Sequence, residues 1–215
     1  MLRALSDTFA GAGFTVLRCD LPYRQARSFG PPGPGDSARD RAGLKNAIAA
    51  MKKLVNEQVV KEIVMKEMVK KETVGAPLLA DVARSVKDDA RQPRVVLGGH
   101  SYGGRQASML CAEEPDLVAG LLLLSYPLHP PRRPEQQRTQ HLPDLRTPTL
   151  FVQGTRDPFG SIEELQRAMK MIPAKTKLLQ LEGAGHDLGF KGKAKKEELP
   201  RMIFTELAKF LDLSS

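Results

Sequence analysis

The chain has 215 residues, 41% of them hydrophobic and 27% charged, which is enough for one domain with a sizeable buried core. Its apolar runs are all too short to span a membrane, and its first 16 residues lack the apolar segment and cleavage site of a signal peptide, so no membrane association is expected. The net charge of +8 permits attraction to anionic partners but does not by itself indicate one.

The first elements are predicted from apolar patterning and from the Gly and Pro residues that interrupt it. Residues 2–10 have a helical pattern that ends at glycines, and residues 14–21 (FTVLRCDL) predict a strand that ends at Pro22. The Pro- and Gly-rich segment that follows predicts a loop, and residues 38–54 predict a helix.

Residues 55–74 have an unusual pattern. Apolar clusters alternate with charged pairs and spread around most of a helical wheel, so this pattern indicates a helix only weakly. Its lysines alternate with glutamates, as on a solvated face, and no aromatic residues lie among them, so nucleic-acid binding is not expected. A further helix is predicted at residues 78–90.

From residue 94 onwards, strand and helix patterns alternate. Strands are predicted at residues 94–99, 119–127, 147–154 and 176–183, and helices at residues 102–114, 161–172 and 198–211. Ser161 followed by Glu164 predicts a capping box at the start of one of these helices. The alternation predicts a mostly parallel α/β sheet with helices on both faces. Because no linker is visible, we expect residues 1–215 to form a single domain.

The segment VVLGGHSYGGRQ carries the strongest functional signal. Gly99-His100-Ser101-Tyr102-Gly103 fits G-x-S-x-G, follows a predicted buried strand and opens a helix, as a nucleophile elbow requires. Gly99 and Gly103 are expected to let the strand and the helix approach each other. The Tyr102 amide, at the helix N-terminus, is expected to be an oxyanion donor. The alternative is a tight turn that happens to contain a serine, and His100 is expected to pack beneath that turn.

A serine hydroxyl needs a base to become a nucleophile, and in this motif the partners follow in the order Ser, acid, His, each after a later strand. Asp157 comes directly after one predicted strand and His186 after the next. We therefore expect His186 to be the general base and acid, with Asp157 orienting it. Asp187 and Asp144 are weaker candidates for the acid, because the first adjoins His186 in sequence and the second precedes its strand.

The segments GGHSYGGRQASML, LLLLSYPLHPP, LFVQGTRDPFG and EGAGHDL resemble the α/β-hydrolase superfamily. Within it they are most similar to the bacterial hydrolase-like branch related to testis-expressed protein thirty and to the third subunit of the nonspecific-lethal chromatin complex, with dienelactone-hydrolase-like proteins as more distant relatives. The resemblance runs from Phe14 to His186 and includes DLPYR. It is weak over residues 55–74, so we interpret this segment as a helical insertion. It implies the α/β-hydrolase fold and a Ser-Asp-His triad.

The resemblance also shows a departure at the N-terminus. Such families begin with further strands, and a His-Gly-rich loop after one of them supplies the second oxyanion donor. No HG or HGxG sequence precedes Leu2. We therefore expect the N-terminal strands of the fold to be missing, either because the start is truncated or because this protein has only half of the oxyanion hole.

Other residues suggest the substrate and the cellular setting. Arg24 and Arg27 follow the first predicted strand and are candidates to bind an anionic substrate group. His129 and His141 belong to a Pro-rich excursion and either form a small lid or are ordinary loop residues. No cluster has metal-ligand spacing and no glycine-rich turn fits a nucleotide motif, so neither a metal nor a cofactor is expected. Two cysteines, Cys19 and Cys111, predict buried free thiols in a reducing, cytoplasmic compartment.

Two functions remain open on this evidence. The first is a serine hydrolase that transfers the acyl group of a small-molecule ester or thioester through Ser101, Asp157 and His186. The second is a hydrolase-fold protein of weak or no activity that binds a protein partner, with its Lys-rich segments as contact surfaces.

Overall fold

Strands and helices alternate along the chain in a computed structural model, which describes residues 1–70, 93–189 and 198–213 and, for residues 59–70, only the backbone. The chain divides into two units, Met1–Lys45 with Val96–Ser215, and Asn46–Val95. The sheet and the candidate site belong to the first unit. The second unit contains the rest of a long helix that begins in the first.

The sheet has four parallel strands, in the order β1-β2-β3-β4. They are β1 (Val96–His100), β2 (Gly120–Leu124), β3 (Thr149–Gly154) and β4 (Thr176–Leu181). The predicted parallel α/β class is confirmed, and all four strands lie within or beside the ranges that the apolar patterning predicts. Because the strands are parallel, their carboxyl ends meet at one edge of the sheet, where open α/β sheets place their functional residues.

Six α-helices and one short 3₁₀ helix (Leu142–Asp144) are present among the described residues. The α-helices are α1 (Leu2–Gly11), α2 (Pro22–Ala26), α3 (Asp36–Lys70), α4 (Tyr102–Glu113), α5 (Ile162–Met169) and α6 (Glu198–Leu211). The predicted capping box is present at α5, where Ser161 Oγ accepts the Glu164 N–H at 3.2 Å and the Ser161 N–H donates to Glu164 Oε2 at 2.9 Å.

Helix α3 is longer than predicted. It runs without interruption through residue 54 to Lys70, because no Gly or Pro lies between Leu44 and Val74 to end it. The part of the segment 55–74 that the structure describes is therefore helical, and whether it is an insertion stays a prediction. The predicted helix at residues 78–90 lies outside the described residues.

The strand predicted at residues 14–21 is wrong. This stretch forms no strand, and its backbone pairs with none of the four strands. Most of its side chains are exposed, including Val16 (38%) and Leu17 (50%). Alternating apolar residues give a strand only when a neighbouring strand accepts its hydrogen bonds, and here the described residues offer no neighbour.

The core lies on both faces of the sheet. Leu122, Leu124, Leu150 and Val152 point to one face, where Leu5 of α1 and Ile203 and Leu207 of α6 cover them. On the other face Leu123 approaches Gly104 of α4. Of the two free cysteines, Cys111 is buried as expected, whereas Cys19 is exposed, because it lies in the stretch that fails to join the sheet. Among the described residues, no helix is both long and apolar enough to cross a membrane.

We expect Leu207→Ala to lower the free energy of unfolding by about 2–5 kcal/mol, because it leaves a cavity under the sheet at a side chain that is 0% exposed. Met202, on the same helix, is 47% exposed, so Met202→Ala serves as the control and is expected to change it by less than about 0.5 kcal/mol. Urea denaturation measures both. Equal losses in the two variants would contradict this account of the core.

Candidate active site

Ser101 lies between the last residue of β1 and the first residue of α4. Its backbone has φ 53° and ψ −123°, a positive φ that residues with a side chain rarely adopt. The Ser101 N–H donates to the Leu124 carbonyl at 2.8 Å, which fixes the turn to the end of the neighbouring strand β2. The strand, the sharp turn and the helix therefore follow one another as the sequence predicts, and they place the Ser101 side chain at the carboxyl edge of the sheet.

Two glycines allow this turn because the backbones of β1 and α4 almost touch. A Cβ added at Gly99 would lie 2.5 Å from the Gly104 nitrogen, and one added at Gly104 would lie 2.7 Å from the Gly99 carbonyl oxygen. At Gly103 the nearest atom to an added Cβ is 3.9 Å away, in the Leu21 side chain. The expectation that Gly103 supplies the room is therefore wrong: Gly104, one residue later, faces the strand.

Asp157 and His186 lie in the loops that follow β3 and β4. The two loops are in backbone contact, since a Cβ added at Gly154 would lie 2.2 Å from the Ala184 carbonyl oxygen. The Asp157 side chain is fully buried, and its Oδ1 accepts the Phe159 N–H at 2.9 Å. The His186 side chain is 24% exposed. The Asp157 carboxylate is therefore inside the protein, and the His186 imidazole lies between it and the solvent.

The structure brings Ser101, Asp157 and His186 into one hydrogen-bonded chain. The Nδ1 atom of His186 lies 2.9 and 3.1 Å from the two carboxylate oxygens of Asp157, and its Nε2 lies 2.8 Å from Ser101 Oγ. A carboxylate can only accept, so Nδ1 carries the proton and Nε2 is left with a lone pair. That lone pair accepts the Ser101 hydroxyl proton, which is the arrangement that a general base requires.

Two rings flank the His186 imidazole. The Phe159 ring is tilted by 36° to it, with the two ring centres 4.3 Å apart. The centre of the His100 ring lies 5.0 Å from the centre of the His186 ring. The His100 Nε2–H donates to the His186 carbonyl at 2.8 Å. Burial lowers the pKa of His100, which keeps this ring neutral beside His186. His100 thus fixes the main chain of His186, and its expected packing beneath the turn stays a prediction.

The Tyr102 side chain is anchored away from the turn. Its hydroxyl donates to Asp40 Oδ2 at 2.8 Å, and the Tyr23 N–H donates to Asp40 Oδ1 at 2.9 Å. The Tyr23 and Tyr102 rings meet edge to face, 5.3 Å apart. Burial, and then the hydrogen bond to Asp40, raises the pKa of Tyr102 above its ordinary range, so its hydroxyl stays protonated and donating. Asp40 thus fixes the residue after Ser101 to helix α3.

Arg24 and Arg27 do not reach the triad. Arg27 forms an ion pair with Asp36. Arg24 donates to the carbonyl groups of Ser28 and Gly30 and lies over the Tyr23 ring. Arg27 is therefore paired with a carboxylate at the start of α3, and Arg24 with carbonyl groups that follow α2.

The structure also gives the contacts of the remaining candidate histidines and aspartates. His129 is buried, with its Nε2 3.3 Å from Glu164 Oε2, and His141 Nε2 lies 2.8 Å from Ser108 Oγ. Both histidines are thus held against helices. Asp187 accepts the Gly189 N–H at 3.1 Å, and Asp144 is exposed in the 3₁₀ helix. Within the described ranges, no group of three or more His, Cys, Asp and Glu side chains could hold a metal ion.

Asp40, Phe159 and His100 are the contributors that sequence reasoning missed or undervalued. Asp40 lies 62 residues before Tyr102, and an aspartate in the first turns of a helix is most often a solvated residue. Phe159 lies two residues after Asp157 in the same loop, which was the only local signal. His100 adjoins Ser101, but its contact with a residue 86 positions later has no signature in the sequence.

Comparisons with known proteins add to this geometry. A family model described as an alpha/beta hydrolase domain matches residues 61–211. Among solved structures, the chain is similar to a predicted CIB-like hydrolase from Thermoplasma acidophilum, with 25% identity, a TM-score of 0.43, and 54% of this chain and 51% of that chain covered. It is also similar to an alpha-beta serine hydrolase homologue from Coxiella burnetii, with 23% identity, a TM-score of 0.43, and coverage of 60% and 57%.

A third similar structure is a monoacylglycerol lipase from Paleococcus ferrophilus, with 16% identity, a TM-score of 0.46, and coverage of 62% of this chain and 74% of that chain. The chain spans little more than half the length of the first two proteins, 51% and 57% respectively.

The close contact between β1 and α4 predicts that alanine substitutions at two adjacent glycines have different effects on stability. Gly99→Ala is expected to lower the free energy of unfolding by about 1–3 kcal/mol, because the new methyl group meets backbone atoms that cannot move aside cheaply. Gly98→Ala is the matched control, since its methyl group would lie 3.5 Å from the nearest atom, an ordinary contact. Urea denaturation of the two variants checks this. A Gly99→Ala variant as stable as Gly98→Ala would show that β1 and α4 lie further apart.

Proposed function

This chain belongs to the alpha/beta hydrolase domain family, whose model matches residues 61–211, and from that premise we propose that it is a serine hydrolase acting on a small ester or thioester. The single observation that carries the proposal is His186, which lies within hydrogen-bond distance of both Asp157 and Ser101. An imidazole that accepts from a serine and donates to a buried carboxylate is the unit that activates a serine hydroxyl.

In the first half of the reaction, Ser101 Oγ attacks the carbonyl carbon of the substrate while its proton moves to His186 Nε2. The carbonyl electrons move onto oxygen and give a tetrahedral oxyanion. Buried Asp157 stabilises the imidazolium that forms and keeps Nδ1 protonated. The oxyanion then collapses, the bond to the leaving alkoxide or thiolate breaks, and that group takes the proton from His186. An acyl group remains on Ser101.

In the second half, water attacks the acyl group and gives its proton to His186 Nε2. The new tetrahedral oxyanion collapses, the bond to Ser101 Oγ breaks, and His186 returns the proton to the serine. The products are a carboxylic acid and an alcohol or thiol. Proton transfer by a positioned imidazole contributes about 10²–10⁴-fold to such a reaction.

The oxyanion needs hydrogen-bond donors, and we assign the Tyr102 amide to this role. It is the first N–H of α4, where helical amides have no acceptor inside the helix and the dipole favours negative charge. The contact of the Tyr102 side chain with Asp40 holds this residue in place. The loss of one such donor costs about 10²–10³-fold in turnover in other enzymes.

The finer assignments belong to the same proposal. We propose that the chain belongs to the branch that its motifs resemble, the one related to testis-expressed protein thirty and the nonspecific-lethal complex subunit, and that its substrate is a small cytoplasmic molecule. The alternative, an inactive interaction protein, predicts a Ser101 without enhanced reactivity. The hydrogen-bonded chain from Ser101 to Asp157 favours the hydrolase.

Ser101 is expected to be labelled covalently by a fluorophosphonate probe, because His186 removes its proton and the probe phosphorus accepts the oxygen. Mass spectrometry of the labelled peptide identifies the residue. Ser101→Ala is expected to abolish labelling although Ser108 and Ser125 remain. A folded protein whose Ser101 stays unlabelled, while a known serine hydrolase reacts in parallel, would refute the proposal and leave the interaction protein.

Asp157→Asn is expected to lower kcat for a p-nitrophenyl ester by about 10³–10⁴-fold, because an amide no longer holds the Nδ1 proton of His186. Asp187→Asn is the matched control, since Asp187 adjoins His186 in sequence but accepts the Gly189 N–H instead. Initial rates at saturating substrate check both variants. Similar losses in the two would mean that Asp157 is not the acid of the triad.

A further inference from the structure

A cluster of cationic side chains lies one helical turn after Ser101. The main-chain N–H of Arg105 donates to the Ser101 carbonyl at 3.0 Å, so Arg105 is in the first turn of α4. Hydrogen bonds connect it to the segment that follows β2. Ser108 Oγ donates to the Arg105 carbonyl at 2.9 Å and lies 2.8 Å from His141 Nε2. The Tyr126 hydroxyl lies 3.3 Å from the same nitrogen and 3.2 Å from the Arg138 carbonyl. This cluster, Arg105 with Arg138, Tyr126 and His141, is not used by the triad.

Arg105 has no counterion among the described residues. Its Nε atom is buried and finds no hydrogen-bond acceptor there, and no described carboxylate forms an ion pair with it. A guanidinium has five N–H donors and cannot lose its charge, so burying it without acceptors is unfavourable. Such groups in native proteins are satisfied by water or by an ion, so an anion is one partner that suits Arg105.

Arg138 adds a second positive charge that has no counterion among the described residues. Burial, and then the positive charge of Arg105, lowers the pKa of Arg138. The one side-chain hydrogen bond of Arg138 in the described residues is a long contact of 3.4 Å from Nη1 to the Pro127 carbonyl. Each guanidinium presents its N–H donors in a fixed fork that matches the oxygens of a carboxylate or a phosphate.

The other polar groups of the cluster bring no negative charge. Burial raises the pKa of Tyr126 to about 12, and its hydroxyl donates to the Arg138 carbonyl at 3.2 Å. Burial, and then Arg105 and Arg41, lowers the pKa of His141 to about 4, so its ring is neutral at physiological pH. Two nearby carboxylates are accounted for. Glu113 forms an ion pair with Arg41 at 3.0 Å, and Asp144 is exposed.

We propose that Arg105 and Arg138 bind an anionic group of the substrate, a carboxylate or a phosphate, and so direct the hydrolase to negatively charged esters. This inference rests on the proposed function and names the substrate class. It also moves the anion site away from Arg24 and Arg27. Arg27 is neutralised by Asp36, and Arg24 donates to the Ser28 carbonyl, whereas Arg105, one helical turn after Ser101, has a buried Nε with no acceptor among the described residues.

Two esters of similar length test the preference, mono-p-nitrophenyl adipate, which is anionic, and p-nitrophenyl hexanoate, which is neutral. The wild-type protein is expected to have the higher kcat/KM for the adipate. Arg105→Met is expected to lower the ratio of the two kcat/KM values by about 10- to 100-fold, as the loss of charged hydrogen bonds does. Arg105→Lys, which keeps the charge but not the fork, is expected to restore part of it.

Arg146 is exposed, so Arg146→Met is the matched control and should keep the wild-type ratio. Arg138→Met removes the second guanidinium from a loop, and it serves if Arg105→Met does not fold. A ratio that stays at the wild-type value in both Arg105→Met and Arg138→Met, or that falls equally in Arg146→Met, would overturn the anion site.

A second measurement does not depend on catalysis. At constant ionic strength, adipate or inorganic phosphate is expected to raise the Tm of wild-type protein and of Arg146→Met, but not that of Arg105→Met, because a ligand stabilises the state that binds it. The anion with the larger shift distinguishes carboxylate from phosphate. No shift with either anion would overturn the site. An unlabelled Ser101 together with a selective Tm shift would refute the hydrolase alone and leave the anion site standing.

Discussion

The close approach of β1 and α4 at Gly99 and Gly104 is the constraint on which the candidate site depends. The backbones of the two elements lie so close that no methyl group fits between them. The chain therefore turns from strand to helix within one residue, and Ser101 takes a positive φ. The strain is offset by the hydrogen bond from the Ser101 amide to β2 and by the burial of both elements against the sheet. The same turn directs the serine side chain to the carboxyl edge and opens α4 towards it.

Two loops and the end of strand β1 at that edge determine the position of His186. The loop after β3 supplies Asp157 and Phe159, the loop after β4 carries His186 itself, and His100 at the end of β1 holds its carbonyl. Each loop is fixed by the register of its strand. A triad built in this way is rigid because its members are connected through the sheet and not through their own flexible segments.

Charge compensation separates the arginines near the site into two kinds. Arg27 and Arg41 face carboxylates, and their charges stabilise the loops and helices that carry them. Arg105 and Arg138 form no ion pair with a carboxylate among the described residues, and the Arg105 Nε is buried there without an acceptor. In sequence these residues look alike, since each lies in a polar context with acidic residues within ten positions. The difference arises only from which elements the fold packs together.

The sequence by itself determined the parallel α/β class, the strands from residue 96 onwards, the capping box at Ser161 and the order Ser101, Asp157, His186, because these depend on local patterning and on strand ends that parallel packing brings together. Tertiary structure decided the rest. Residues 14–21 have a strand pattern but no neighbour to pair with, and Gly104 took the place expected for Gly103 because the helix rotates it towards β1. Contacts such as His100 with His186, or Tyr102 with Asp40, join residues far apart in the chain, and they exist only once the sheet has formed.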